Sequence, residues 1–236
     1  KDKANIVLNN QKVPEVQEYK YLGDIISIDD TYSALIKERK YSIAGTVAEI
    51  VNIENEIKQH SIEAAVQYTN GIIIPKLLIN SESWNHLTNI DQQQLEQCQS
   101  QSIKRLLHLP YSTPTKGLYN ELGLMSIKNR ILIRKLIYLH KLLNKNEDNL
   151  ARKILMEQEK LPGPTWINKV KSTMEELEIN QSLEEIQSIK KTKWKSLVNK
   201  LVWDKEQREF YEWSENSTKC HLMKLDKIKM KKYLKE

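Results

Sequence analysis

Two cysteines, six glycines, six prolines and a single phenylalanine occur among 236 residues. Two thiols, Cys98 and Cys220, cannot build a disulfide framework, and neither stands in a Cys-x-x-Cys pair. That fits a reducing, intracellular setting, nuclear or cytoplasmic. The scarcity of glycine and proline, beside abundant Leu, Ile, Lys, Glu and Gln, favours helix over sheet. No apolar run is long enough to span a membrane, and no signal-peptide pattern is present. Neither G-x-x-x-x-G-K-[ST] nor G-x-G-x-x-G is there to cradle nucleotide phosphates. The five histidines, His60, His86, His108, His140 and His221, form no H-x-H or H-E-x-x-H spacing. A metal site at Cys220-His221 would need further ligands.

What is present describes a folded chain. Charged residues make up 29% and apolar ones 39%, and the length suits one large domain or two modest ones. The net charge of +6 is unevenly spread. Residues 1–124 hold twelve basic against fifteen acidic side chains, a net of −3; residues 125–236 hold twenty-five against sixteen, a net of +9. A basic half implies a polyanionic partner, or else the solvated surface of Lys/Glu-rich helices.

Short β-branched and aromatic runs at Ile6-Val7-Leu8, Val13, Val16 and Tyr19–Leu22, with a turn at Asn9-Asn10, predict two or three strands. So small a β element cannot cover both of its own faces. Helical periodicity follows. Asp29 or Asp30 is expected to cap a helix with Ile36, Ile43, Val47, Ile50 and Ile57 on one face. Ser61 is expected to cap a second, which Pro75 kinks or breaks, and Thr88 or Asn89 a third, through Leu95, Cys98, Ile103 and Leu106. Cys98 reads as a buried core thiol. After the 112–117 linker and a short helix ending at Gly123, Ser126 is expected to cap a helix with Leu132, Leu136, Leu139 and Leu143 in one stripe. Arg130, Arg134 and Lys141 lie roughly opposite it. Leu161-Pro162-Gly163-Pro164 is a break, followed by helices near 165–178, 182–188, 190–213 and 217–235, with Trp194 on an apolar face.

Few arrangements here carry catalytic chemistry. Asp29-Asp30 resembles a two-metal aspartate pair only superficially, because it runs directly into a helix and lacks a partner carboxylate. His108 ends a helix that also carries Lys104 and Arg105, where a cation favours the dipole. Binding is better supported. Lys104, Arg105, Tyr111, Ser112, Thr113, Thr115 and Lys116 gather cations and hydroxyls at a helix end and its following loop. Such groups grip phosphates without reading bases. The alternative is an ordinary helix end and turn, just as the Arg130/Arg134/Lys141 stripe also suits any surface helix.

Three blocks carry a family resemblance: Tyr19-Lys20-Tyr21-Leu22-Gly23-Asp24-Ile25-Ile26, Ile74-Pro75-Lys76-Leu77-Leu78-Ile79-Asn80-Ser81-Glu82-Ser83-Trp84, and Leu109-Pro110-Tyr111-Ser112-Thr113-Pro114-Thr115-Lys116-Gly117-Leu118-Tyr119. In order and spacing they resemble the region after the catalytic palm of a non-LTR retrotransposon (LINE-type) reverse transcriptase. Glu121-Leu122-Gly123-Leu124 through Tyr138-Leu139-His140 is similar to the helical region that follows the thumb, and Trp166, Glu184-Glu185-Ile186, and Lys219 near Leu225 continue the likeness. Ile79-Asn80 departs from the Tyr-Gly common in the family. The Tyr/Phe-x-Asp-Asp motif and a downstream Cys/His motif are absent.

The resemblance implies a mainly α fold: a β hairpin at the palm–thumb junction (1–29), a helical thumb bundle (30–111), a linker and short helix (112–125), and a second, basic all-helical domain (126–236). It implies binding and positioning of an RNA template and RNA–DNA duplex by a non-catalytic part of an RNA-directed DNA polymerase. Palm and fingers would lie upstream, and Mg²⁺ would belong to that parent, with no cofactor in this fragment. Lys104, Arg105, Tyr111, Ser112, Thr113, Lys116, Arg130, Arg134 and Lys141 are the expected nucleic-acid contacts. The rival reading is a helical protein–protein scaffold, or a domesticated or decayed retroelement fragment.

Overall fold

The computed structural model describes residues 6–217 except 22, 30, 59 and 86, and it opens with two antiparallel hairpins. β1 (Val7–Leu8) pairs with β2 (Gln11–Lys12), and β3 (Glu18–Tyr21) with β4 (Asp24–Ser27). Asn9 and Asn10 both adopt positive φ, 50° and 60°, which turns the first hairpin in the sense asparagine tolerates best. Val7, Leu8, Tyr19, Tyr21 and Ile26 are exposed, so the β element does leave apolar surface bare. Its second hairpin is anchored to the helices: Ile25 packs on them, Asp24 accepts hydrogen bonds from Arg39 and Asn80, and Lys20 pairs with Glu38.

The rest is helical, and the mainly α expectation holds. Among the described residues come α1 (Ser33–Ile57), α2 (Ile62–Tyr68), α3 (Ile74–Leu77), α4 (Asn89–Leu106) and α5 (Thr115–Leu122). Then follow α6 (Ile127–Leu143), α7 (Leu150–Lys160), α8 (Trp166–Glu176), α9 (Leu183–Ser188) and α10 (Lys191–Asn216). The region expected to form a further helix at 217–235, with Cys220, His221, Lys219 and Leu225, lies essentially outside the described residues, as do Leu22, Asp30 and His86.

Local capping chemistry explains several starts. Ser61 Oγ accepts from the Ala64 amide at 3.1 Å, and Thr88 with Asp91 closes a reciprocal capping box on α4. Two expected caps are corrected. Asp29 does not cap α1, whose N-cap is Tyr32 with no side-chain bond; the Asp29 carboxylate instead accepts from Ser27 Oγ and from the amide and hydroxyl of Thr31. Those short-range donors satisfy it two residues too early. Ser126 is the N-cap of α6, but its hydroxyl donates to Glu206 rather than capping its own helix.

Pro75 neither breaks the helix nor stands alone in bending it. A π turn, Thr69–Ile73, precedes α3, with the Ile74 amide bonding back five residues to Thr69 O. The wider turn lets the helical path run on into a proline that has no amide to donate.

Two buried apolar clusters result. The first joins α1, α2, α3, α4 and α5 through Ile36, Ile43, Val47, Leu77, Trp84, Leu95 and Ile103. The second joins α7 to α10 through Leu155, Ile167, Val170, Ile186, Trp194 and Val198. α6 belongs to both, giving Ile127 and Ile131 to the first and Leu136, Leu139 and Leu143 to the second. Arg39 lies buried within the first cluster, its guanidinium 5.0 Å from the Trp84 ring centroid and bonded to Leu77 O at 2.9 Å.

Candidate nucleic-acid interface

α1 and α4 pack along one another, and a groove of about 400 Å³ opens beside their contact. Lys37, Lys40 and Tyr41 line it from α1, Gln94, Gln101, Ser102 and Arg105 from α4, and Tyr111 from the loop beyond. No carboxylate lines it among the described residues. Tyr41 is 71% and Tyr111 69% exposed, so two phenol rings flank the cations. Cys98 forms part of the floor, a buried thiol whose pKa burial pushes up to about 11 and which is therefore inert as a nucleophile.

The expected contacts do not share one surface. Arg105 and Tyr111 enter the α1/α4 groove. Lys116 lines a second cavity of about 450 Å³, between α4, α5 and α10, together with Lys128 and the carboxylates of Glu96, Glu206 and Glu209. Arg130 and Arg134 line a third, with Asn70, Pro75, Asn199 and Trp203. Ser112 and Lys141 are exposed, and the Thr113 amide closes a turn on Pro110 O.

Three of the nine have internal work. Lys104 is 5% exposed, and its ammonium donates to Tyr111 O at 3.1 Å and to Thr115 Oγ1 at 3.0 Å. It shapes the loop that presents Tyr111. Burial lowers its pKa. Arg130 donates to Met125 O and Asn70 Oδ1, and Arg134 to Leu78 O at 2.8 Å, with Glu82 at 3.5 Å. Arg130 and Arg134 of that stripe are half-buried where α6 is covered, while Lys141 lies on an exposed face.

A buried polar set sits at the N-terminus of α6. Glu96 accepts from the Ile127 amide at 2.8 Å, while Glu206 accepts from the Ser126 amide and hydroxyl and from Asn129. Burial, and then the nearby Glu206 charge, push the Glu96 carboxyl above its usual range, against the hydrogen bond from Ile127. Burial also raises the neighbouring Tyr119 hydroxyl and lowers Arg130. These groups fix a helix end.

The Asp29 carboxylate is taken up by Ser27 and Thr31, and no grouping of metal-ligating side chains among the described residues includes it. No helix among the described residues is long and apolar enough to cross a membrane.

Sequence reasoning missed Lys37, Lys40 and Tyr41. They read as the outer face of α1, and only its packing on α4 sets them beside Arg105. It also missed the meeting of His60 with His108, forty-eight residues apart. Compared with known proteins, the chain matches no family model, no curated sequence and no solved structure.

Proposed function

We propose that this chain is a non-catalytic nucleic-acid-binding part of a reverse transcriptase of the non-LTR type, holding template–primer by its phosphates along the α1/α4 groove. One observation carries the reading: three cations, Lys37, Lys40 and Arg105, and two exposed tyrosines line a groove without a carboxylate. Cations neutralise phosphates, tyrosine and glutamine add donors and stacking surface, and nothing repels the polyanion. The resemblance of the Tyr19–Ile26, Ile74–Trp84 and Leu109–Tyr119 blocks supports the same reading and supplies the partner, an RNA template and its RNA–DNA duplex.

The test is binding of an RNA–DNA duplex across a salt series. Each neutralised phosphate contributes roughly one unit to the slope of log K against log salt, so Lys37→Ala, Lys40→Ala and Arg105→Ala should each flatten it by about one. Lys160→Ala, removing an exposed cation on α7 paired with Glu157, should leave the slope unchanged. Equal slopes in all four variants overturn the reading. A protein–protein scaffold is the second reading, favoured by the bare apolar residues of the hairpins, and it stands if no duplex binds at low salt.

A further inference from the structure

Glu54 lies in the last turn of α1 and is 2% exposed, yet its Oε2 has no hydrogen-bond partner. A desolvated carboxylate oxygen without a hydrogen bond is costly, and the C-terminal end of a helix is the wrong end for a negative charge. A positive group is called for. Two imidazoles face this oxygen. His60 Nδ1 is 3.7 Å from Glu54 Oε2, and His108 Nε2 is 3.3 Å from His60 Nδ1. All three ligand atoms lie within 4.8 Å of one another.

The 3.3 Å between the two imidazole nitrogens is the spacing of two ligands on one ion, and the 3.7 Å to Glu54 is a little wider. With metal–nitrogen bonds of about 2.0–2.1 Å, the edges of a tetrahedron measure about 3.3–3.4 Å. The rings meet edge to face at 86°, as two imidazoles converging on a shared centre do. Backbone geometry delivers both. Lys58 at φ 52° reverses the chain after α1 and returns His60 towards Glu54, and His108 itself holds the left-handed position after α4, where glycine is the usual occupant.

We propose that Glu54, His60 and His108 bind one Zn²⁺ ion, which clamps the end of α1 to the end of α4. Two imidazoles and a carboxylate suit zinc better than the hard cations, which prefer all-oxygen cages. His60 and His108 are exposed, so solvent reaches the fourth position. The clamp sits directly before the Leu109–Tyr111 loop and is independent of the nucleic-acid reading.

Zinc titration of the metal-stripped full chain by calorimetry, with a parallel thermal melt, tests this. Cys220→Ser/His221→Ala serves as the background, removing unrelated donors. One ion per chain is expected, with a rise in Tm on loading. Losing a partner outside the ligand shell already costs about 10–100-fold in metal affinity. His60→Ala and His108→Asn, each removing a ligand, should therefore exceed that loss and abolish the Tm rise. Asparagine tolerates the left-handed backbone, so the second variant keeps its fold. Cobalt should give visible tetrahedral bands in the background protein and not in either variant. Absence of zinc binding overturns the proposal, as does binding that both histidine variants retain.

Discussion

Lys135 on α6 carries a charge the fold does not welcome. Burial, and then the nearby Lys169 charge, lower its pKa to about 8. The folded state therefore gives up its proton before the unfolded chain does. Between the folded value and the ordinary lysine value the unfolded state holds more protons, so stability rises with pH across that window. Below it the full penalty is present. Lys135→Met should then be more stable than the parent at pH 7 by on the order of 1–3 kcal/mol. The difference should shrink above pH 8 and vanish by about pH 10.5. Urea unfolding of both proteins at pH 7, 8.5 and 10 measures it. An equal difference at all three would mean that the charge is innocent and packing alone matters. Arg39 shows the opposite case, a buried cation with partners: Leu77 O, Asp24 and the Trp84 face each receive it. Burial lowers its pKa too, but the nearby Asp24 and Glu38 charges oppose the shift.

Elements were legible where their determinants are local. The Ile36, Ile43, Val47, Ile50 stripe is buried as its period required, Cys98 and Trp194 are core residues, and Ser61 and Thr88 cap because the amides they serve lie three residues on. Ile57, expected on the same face, is instead exposed. What was not legible depends on distant chain. The amides at the start of α6 are served by Glu206 and Glu96, eighty and thirty-one residues away, and no spacing rule signals that. The α1/α4 groove and the His60–His108 contact escaped for the same reason. The Glu206 arrangement makes a prediction. Glu206→Ala leaves the Ser126 amide and hydroxyl and the Asn129 amide without their acceptor, and should cost about 2–3 kcal/mol, far above the effect of an ordinary surface glutamate. Chemical denaturation checks it, and a loss below 0.5 kcal/mol would mean water replaces the cap. At the end of α8, Glu178 occupies a left-handed position, φ 57°, where its amide and that of Ile179 close the helix on Glu175 O and Met174 O. Glu178→Gly should stabilise by about 0.5–1 kcal/mol, because glycine adopts this conformation without a Cβ clash. A lower melting temperature in that variant would contradict it.

At the scale of the molecule, the sequence reading placed separate domains at 30–111 and 126–236, whereas the first apolar cluster runs from Leu35 to Ile131 and the second from Met125 to Val202. Whether they unfold separately depends on what joins them. α6 is one uninterrupted helix of 17 residues that lends side chains to both clusters. Cross-ties reinforce it: Arg134 to Leu78 O, Trp166 Nε1 to Glu82 O at 2.9 Å, Lys169 to Asn85 O at 2.8 Å, and Glu206 to Ser126. Losing either cluster would strip half the cover from α6 and orphan these bonds. The halves should therefore unfold together, in one transition. Ile43→Ala opens a cavity in the first cluster and Leu136→Ala in the second, each costing about 2–5 kcal/mol. Tryptophan fluorescence and far-ultraviolet circular dichroism followed through urea should give coincident curves for the parent and both variants. Each variant should shift the whole curve. Hydrogen exchange adds the spatial detail: amides of α4 and α8 should lose protection equally in either variant, while β1 and β2, exposed and outside both clusters, exchange fast in all three. Two transitions, with Ile43→Ala moving one and Leu136→Ala the other, would show α6 to be a linker between independent domains rather than a strut shared by one cooperative fold.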